Sequence, residues 1–150
     1  MLPVRFRLLG FILIGIGLVL GFLRFNIGFK PEFLHQKVFA FFSLYLEPFY
    51  FKTIENQLLE EIAGLLLLFG LFFIAFSKEK EEDIRINSLR LKSFFISTYI
   101  DFLFLVLSMV FTYGLGFIYM MIIHSFLFLV VYNISFRVLL FRAGKKRIKF

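Results

Sequence analysis

Residues 94–111 read FFISTYIDFLFLVLSMVF, and residues 117–136 read FIYMMIIHSFLFLVVYNISF. At 1.5 Å per residue the second run covers the roughly 30 Å of a bilayer's hydrocarbon core without help. The first run, interrupted by Asp101, reaches that length by extending into Thr112 and Tyr113. Two more apolar stretches, 8–23 and 62–76, are shorter, at about 24 Å. They reach both interfaces if Arg5, Arg7 and Arg24 snorkel at the ends of the first, with Glu60 and Glu61 among headgroups before the second. The reading is an all-α integral membrane protein: a single four-helix domain with transmembrane helices over about 5–25, 59–77, 93–113 and 115–137.

Composition closes off the other classes. The chain has 150 residues, 61% of them hydrophobic, with 26 phenylalanines, no cysteine and a formal net charge of +7. A soluble chain averages roughly 45–50% apolar residues even with glycine counted. A domain of this length leaves roughly 30% of its unfolded surface exposed on folding, so water would meet much of that apolar content. Disorder requires few aromatics and low hydrophobicity. Without cysteine there is no disulfide, thiolate metal site or thiol redox chemistry. The 8–23 run lacks a small-residue cleavage site after it, because Gly21-Phe22-Leu23-Arg24-Phe25 is wrong for one, and it reads as a retained first helix.

Lysine and arginine orient the spans. The N-terminal end carries two, the 24–57 segment four, the 77–93 segment five, the turn between the last two spans none, and the C-terminal end six. With both termini cytoplasmic, 13 bases lie inside against 4 outside. The expected location is therefore the bacterial cytoplasmic (inner) membrane, multi-pass, with N and C termini inside.

The connecting segments carry their own signals. Leu34, Val38, Phe41, Phe42 and Tyr45 recur at helical intervals, Pro31 suits a first helical turn, and Pro48 ends a helix near Leu46. This predicts one or two short interfacial helices within 31–52, lying on the outer face with their aromatic side dipped inward. They serve either as a lid on the spans or as a surface for an extracytoplasmic partner or ligand. Residues 78–93 read as a cytosolic helix continuous with the third span, with acids early and bases late as the helix dipole favours. Glu82, Asp83, Ile86, Leu89, Arg90 and Ser93 mark a candidate partner-binding face there, the alternative being a solvated charged helix that fixes topology. The basic tail from Arg142 to Lys149 would attract anionic lipid headgroups at about 1 kcal/mol per base. Direct nucleic-acid binding does not suit so short a tethered tail.

Glu82-Asp83-x-x-Ile86-x-x-Leu89-Arg90-Leu91-x-Ser93, Tyr99-Ile100-Asp101-Phe102 and Thr112-Tyr113-Gly114 together resemble a functionally uncharacterised family of small four-span inner-membrane proteins of Bacteroidota. Residues 60–65 and 74–80 look like that family's second span and its exit, so the resemblance covers roughly 30–136. Genes of this family commonly lie beside a short helix-turn-helix regulator, which implies a regulatory pairing. The family pattern often has asparagine where this chain has Asp101 and His124.

Three polar residues stand out as intramembrane candidates in the last two spans: Asp101, His124 and Asn133. An intramembrane carboxylate is costly unless paired or neutralised. Depths counted from the limits of the apolar runs favour Asn133, or Arg137 beyond it, as the partner of Asp101, with His124 a turn or two away. The pattern suits either interhelical glue or a proton or cation relay from Asp101 towards His124. Gly17-x-x-x-Gly21 permits close helix packing, within the bundle or against a second copy. No metalloprotease, phosphate-loop or nucleophile-elbow motif occurs, and adjacent His124 and Ser125 diverge by about 100° on a helix, so an enzyme is not expected and no cofactor is implied. The expected function is that of a non-catalytic membrane protein acting through a protein partner or homo-oligomer, as a regulator or sensor paired with a cytosolic protein. The alternatives are a small ion- or proton-coupled carrier using Asp101, and a structural subunit of a larger membrane complex.

Overall fold

A computed structural model describes residues 1–44, 48–79 and 84–147. Its long elements are helices α1 (Arg5–Asn26), α2 (Leu59–Phe76), α3 (Ile84–Phe111) and α4 (Leu115–Arg147). Each is long and apolar enough to cross a membrane, as the hydropathy required. At 1.5 Å per residue they measure about 33, 27, 42 and 50 Å, so α3 and α4 outrun the hydrocarbon core. Two compact units make up the chain: Met1–Phe11 with Gly70–Phe150, and Ile12–Phe69.

The first unit is built on the helical hairpin of α3 and α4. Gly114, at φ 61°, makes the left-handed turn between them, a conformation that costs any residue with a Cβ. Contacts across the hairpin pair residues at similar distances from Tyr113, to within about one helical turn. Phe94 and Phe128 stand edge to face at 5.5 Å, and the Arg90 guanidinium lies 4.7 Å from the centre of the Phe136 ring. Helix α3 buries Ser93, Ser97 and Ser108, whose hydroxyls donate to the carbonyls of Leu89, Ser93 and Phe104 four residues back. Small side chains let helices approach closely, and back-bonding satisfies each hydroxyl where no water is present. In the same unit Phe6 meets Phe73 edge to face at 5.3 Å. Gly10 is pressed so close to the backbone of Gly70 and to Ile74 that an added Cβ would stand 2.8 Å from each.

The second unit joins the rest of α1 to the start of α2 through an antiparallel β-hairpin. Its strands are β1 (His35–Leu44) and β2 (Pro48–Gln57), in a register that sets Lys37 opposite Glu55 and Val38 opposite Ile54. This overturns the short interfacial helices expected within 31–52. The described helical structure there is one 3-10 turn at Glu32–Leu34. The reason is compositional: aromatic and β-branched residues crowd both strands and favour extended pairing, while a near-continuous apolar run fits helical and extended periodicities alike. Pro48 opens β2, where its missing N–H is tolerated, instead of closing a helix; Leu46 lies outside the described residues. Leu58 N–H donates to the Leu34 carbonyl, and Arg24 grips one Glu60 oxygen through two nitrogens at 2.8 and 2.5 Å. Gly17 is a true packing position, since an added Cβ would lie 2.9 Å from Leu67 and 3.1 Å from the Ala63 carbonyl. Gly21 meets nothing within 4 Å. The packing pair on α1 is therefore Gly10 and Gly17, two turns apart on one face, each within its own unit.

Candidate functional site

The expected helix over 78–93 starts later, because the residues after α2 serve another purpose. A helix ends with carbonyls that have no partner in the helix. Here the run is satisfied one after another. Ile74 O accepts from Ser77 Oγ at 3.2 Å, Ala75 O from Arg90 Nη1 at 3.1 Å, Phe76 O from Leu2 N at 3.0 Å and Ser77 O from Arg90 Nη2 at 2.8 Å. Lys78 N returns a bond to Leu2 O at 2.9 Å, giving a parallel bridge between Leu2 and Ser77. A cation at a helix C-terminus also answers the macrodipole. Arg90, only 5% exposed, thereby holds its charge in the interior.

One step further, Glu79 bridges two arginines: Arg7 at 2.7 Å on Oε2 and Arg137 at 2.9 Å on Oε1. The start of α1 and the C-terminal half of α4 are thus tied to one carboxylate, which is 13% exposed. Arg90 and Arg137 stand 23 and 24 residues from Tyr113, or about 35 Å, which puts this cluster at headgroup depth when the turn sits at the opposite surface.

The second polar constellation lies midway along the hairpin. His124 Nδ1 and Asp101 Oδ1 are 3.1 Å apart, with side chains 27% and 21% exposed. They stand at ion-pair distance without hydrogen-bond alignment, and neither atom has a hydrogen-bond partner among the described residues. The His124 ring lies parallel to Phe104 with centroids 6.4 Å apart. Both residues are 11 or 12 positions from Tyr113, about 17 Å, which is close to mid-bilayer. A carboxylate and an imidazole within reach of each other can hold a proton between them or neutralise each other as an ion pair.

This pairing corrects the depth estimate that favoured Asn133 or Arg137 for Asp101. The apolar runs begin at Phe94 and Phe117, but the helices begin at Ile84 and Leu115, so depths counted from the run limits are offset. Asn133 instead donates to the Leu71 and Leu129 carbonyls at 3.1 and 2.9 Å, and Arg137 belongs to Glu79.

The expected partner-binding face is dispersed as well. Arg90 and Ser93 point inward, Ser93 with no exposed surface at all, and Ile86 and Leu89 are half-buried. Glu82 and Asp83 lie outside the described residues. The exposed side chains on this part of α3 are Ile84, Arg85, Asn87, Ser88, Leu91 and Lys92. The basic C-terminal run is a continuation of α4 as far as Arg147. Glu79 and Gly10 carried no motif; the available signal for Glu79 was its place as the first acid beyond the α2 terminus, where a carboxylate can collect the arginines of neighbouring helix ends. Among the described residues no group of three or more His, Asp or Glu side chains is disposed to hold a metal ion. No family model matches the chain, and no curated protein or solved structure is significantly similar to it.

Proposed function

We propose that the chain is a non-catalytic multi-pass protein of the bacterial cytoplasmic membrane, with both termini inside, that acts through a cytosolic protein partner. What supports this reading is the length of the α3–α4 hairpin. Helices of about 42 and 50 Å overrun a 30 Å core by about 10–20 Å. The overhanging end of α3 presents Arg85 and Lys92 to solvent, with Arg142 on α4. A long 3.5 Å bond from Arg85 Nη2 to Ala143 O links the two helices there. Resemblance to the Bacteroidota four-span family makes a short helix-turn-helix regulator the partner of choice, and the 13-to-4 division of bases puts this end in the cytosol. The test is co-purification of the full chain with that regulator in mild detergent. Wild type should retain it, and Arg85→Glu/Lys92→Glu should reduce retention about tenfold, the size of a 1.4 kcal/mol loss. Equal retention by the charge-reversed variant, or none by wild type, defeats the reading.

A second reading is favoured by the Asp101–His124 pair: a small proton- or cation-coupled carrier. Ionisable groups at mid-bilayer are functional candidates by default, and this pair is close without being locked by alignment. Proteoliposomes would show proton-coupled flux that Asp101→Asn abolishes. Flux unaffected by that substitution, or absent from wild type, removes the carrier.

A further inference from the structure

Two of the spans end side by side in the second unit, and the β-hairpin is attached at those ends. Arg24, in the last turn of α1, holds Glu60, in the first turn of α2, so the two helix ends stand level. Charged groups at the ends of spans belong at headgroup depth. The base of the hairpin is fixed beside them: Leu58 N–H donates to Leu34 O at 3.0 Å, and Gln57 Nε2 to Pro31 O at 3.2 Å. Near this base Glu55 lies 3.7 Å from His35 and 3.8 Å from Lys37, all three exposed.

Away from this polar base the exposed surface turns apolar in two directions. On α1 it runs through Leu18 and Phe22 to Phe25, which is 77% exposed, and past the helix end to Ile27 and to Phe33, 72% exposed. On the hairpin, Phe39 and Phe51 are 58% and 69% exposed, with ring centroids 6.4 Å apart. Phe39 stands two residues beyond Lys37, about 7 Å further along the strand. Phe51 holds φ 50°, which costs a residue with a Cβ, and still leaves its ring outside.

A two-stranded hairpin is marginal in water by itself, and exposed rings give it no support there. The apolar medium that meets α1 at Leu18 and Phe22 is the bilayer, and the surface from Phe25 to Phe33 is continuous with that face. Depth is limited from the other side. Each strand of a two-stranded sheet has an outer edge of backbone N–H and C=O groups, and an open edge is not tolerated in hydrocarbon. The headgroup–acyl boundary meets both demands, and aromatic side chains concentrate there.

We infer that the β-hairpin is a membrane-surface arm. It lies along the leaflet where α1 ends and α2 begins, with Phe33, Phe39 and Phe51 at the headgroup–acyl boundary and Lys37 and Glu55 among the headgroups. Lipid covers its aromatic face, not a second copy or a soluble protein.

The chain contains no tryptophan, so Phe39→Trp and Phe51→Trp each introduce a single fluorescent reporter. Each full-length variant is placed, one copy per disc, in phosphatidylcholine nanodiscs brominated either near the headgroup or near the chain end, with aqueous iodide as the opposing quencher. Both reporters should be quenched about threefold more by the shallow bromines than by iodide or by the deep bromines, as interfacial depth requires. Iodide quenching equal to or stronger than that by shallow bromines puts the arm in water and overturns the inference. Stronger quenching by the deep bromines overturns it too, because the open edges would then stand in hydrocarbon. A reporter reached by no quencher does the same, since protein would cover this face. Wild type supplies a check without substitution: phosphatidylcholine carrying a diazirine near its headgroup should crosslink within residues 33–57. Labelling confined to the four helices defeats the arm.

Discussion

Arg90 and Asp101 stand eleven residues apart on the same face of α3, three turns along one stripe that also holds Ser93 and Ser97. Both bring an ionisable group into the interior of the fold. Arg90 is met from several sides: two carbonyls of the α2 terminus take its hydrogen bonds, and the Phe136 ring lies beneath its guanidinium. Among the described residues Asp101 is met by His124 alone, at 3.1 Å without hydrogen-bond alignment. A buried charge held through both terminal nitrogens and a ring face is a structural part, because moving it would orphan the carbonyls that bind it. A pair held chiefly by each other can be altered with less disturbance to the helices around it. The contrast separates what holds the hairpin to α2 from what the hairpin is free to use.

The sharpest way to break that contrast is Arg90→Gln. It removes two charge-assisted hydrogen bonds from a site with little access to water, and stability should fall by about 3 kcal/mol. Denaturant unfolding in mixed micelles, followed by circular dichroism, reads this directly. A loss under about 1 kcal/mol would mean that Arg90 is no more structural than Asp101. Glu79→Gln comes next, leaving Arg7 and Arg137 without a counter-charge. Both arginines are about a third exposed, so screening reduces the loss to about 1–2 kcal/mol in the same assay. Smallest is Asp101→Asn, which keeps shape and hydrogen-bonding capacity and should change stability by less than about 1 kcal/mol, as polar contacts between membrane helices generally do. A double-mutant cycle with His124→Asn sharpens the point: a coupling above about 2 kcal/mol would show the pair to be structural glue.

The two regions also differ in how far a sequence could announce them. Four spans were legible because length and apolar content answer one question, whether a helix can cross hydrocarbon, and the observed helices contain all four. Which side chains meet is a different question, and it depends on the helix ends. Counting from Phe94 and Phe117 set Asp101 and His124 at different depths, whereas counting outward from the Tyr113–Gly114 turn sets them level. Arg90 looked like a solvent residue because it follows a charged stretch, and nothing in a linear pattern says that a neighbouring helix will end beside it. Gly17 was legible as a packing position, but its companion was not Gly21. A spacing of four is the familiar motif, yet the observed contacts fall seven apart, at Gly10 and Gly17. The β-hairpin was the plainest miss, since a run so rich in phenylalanine satisfies either periodicity.

The Glu79 bridge has a consequence for the order of events during synthesis. The Asp101–His124 pair spans a single hairpin and can form as soon as α3 and α4 are made, the kind of local contact that forms quickly. Glu79 joins residues far more distant in the chain. Its carboxylate can take Arg7 once α2 has been completed, but the second oxygen waits for Arg137, near the end of the last helix. Until then this edge carries one fewer arginine. Closure of the second ion pair therefore marks the completion of assembly, and a chain truncated before α4 would keep the first half of the latch without the second.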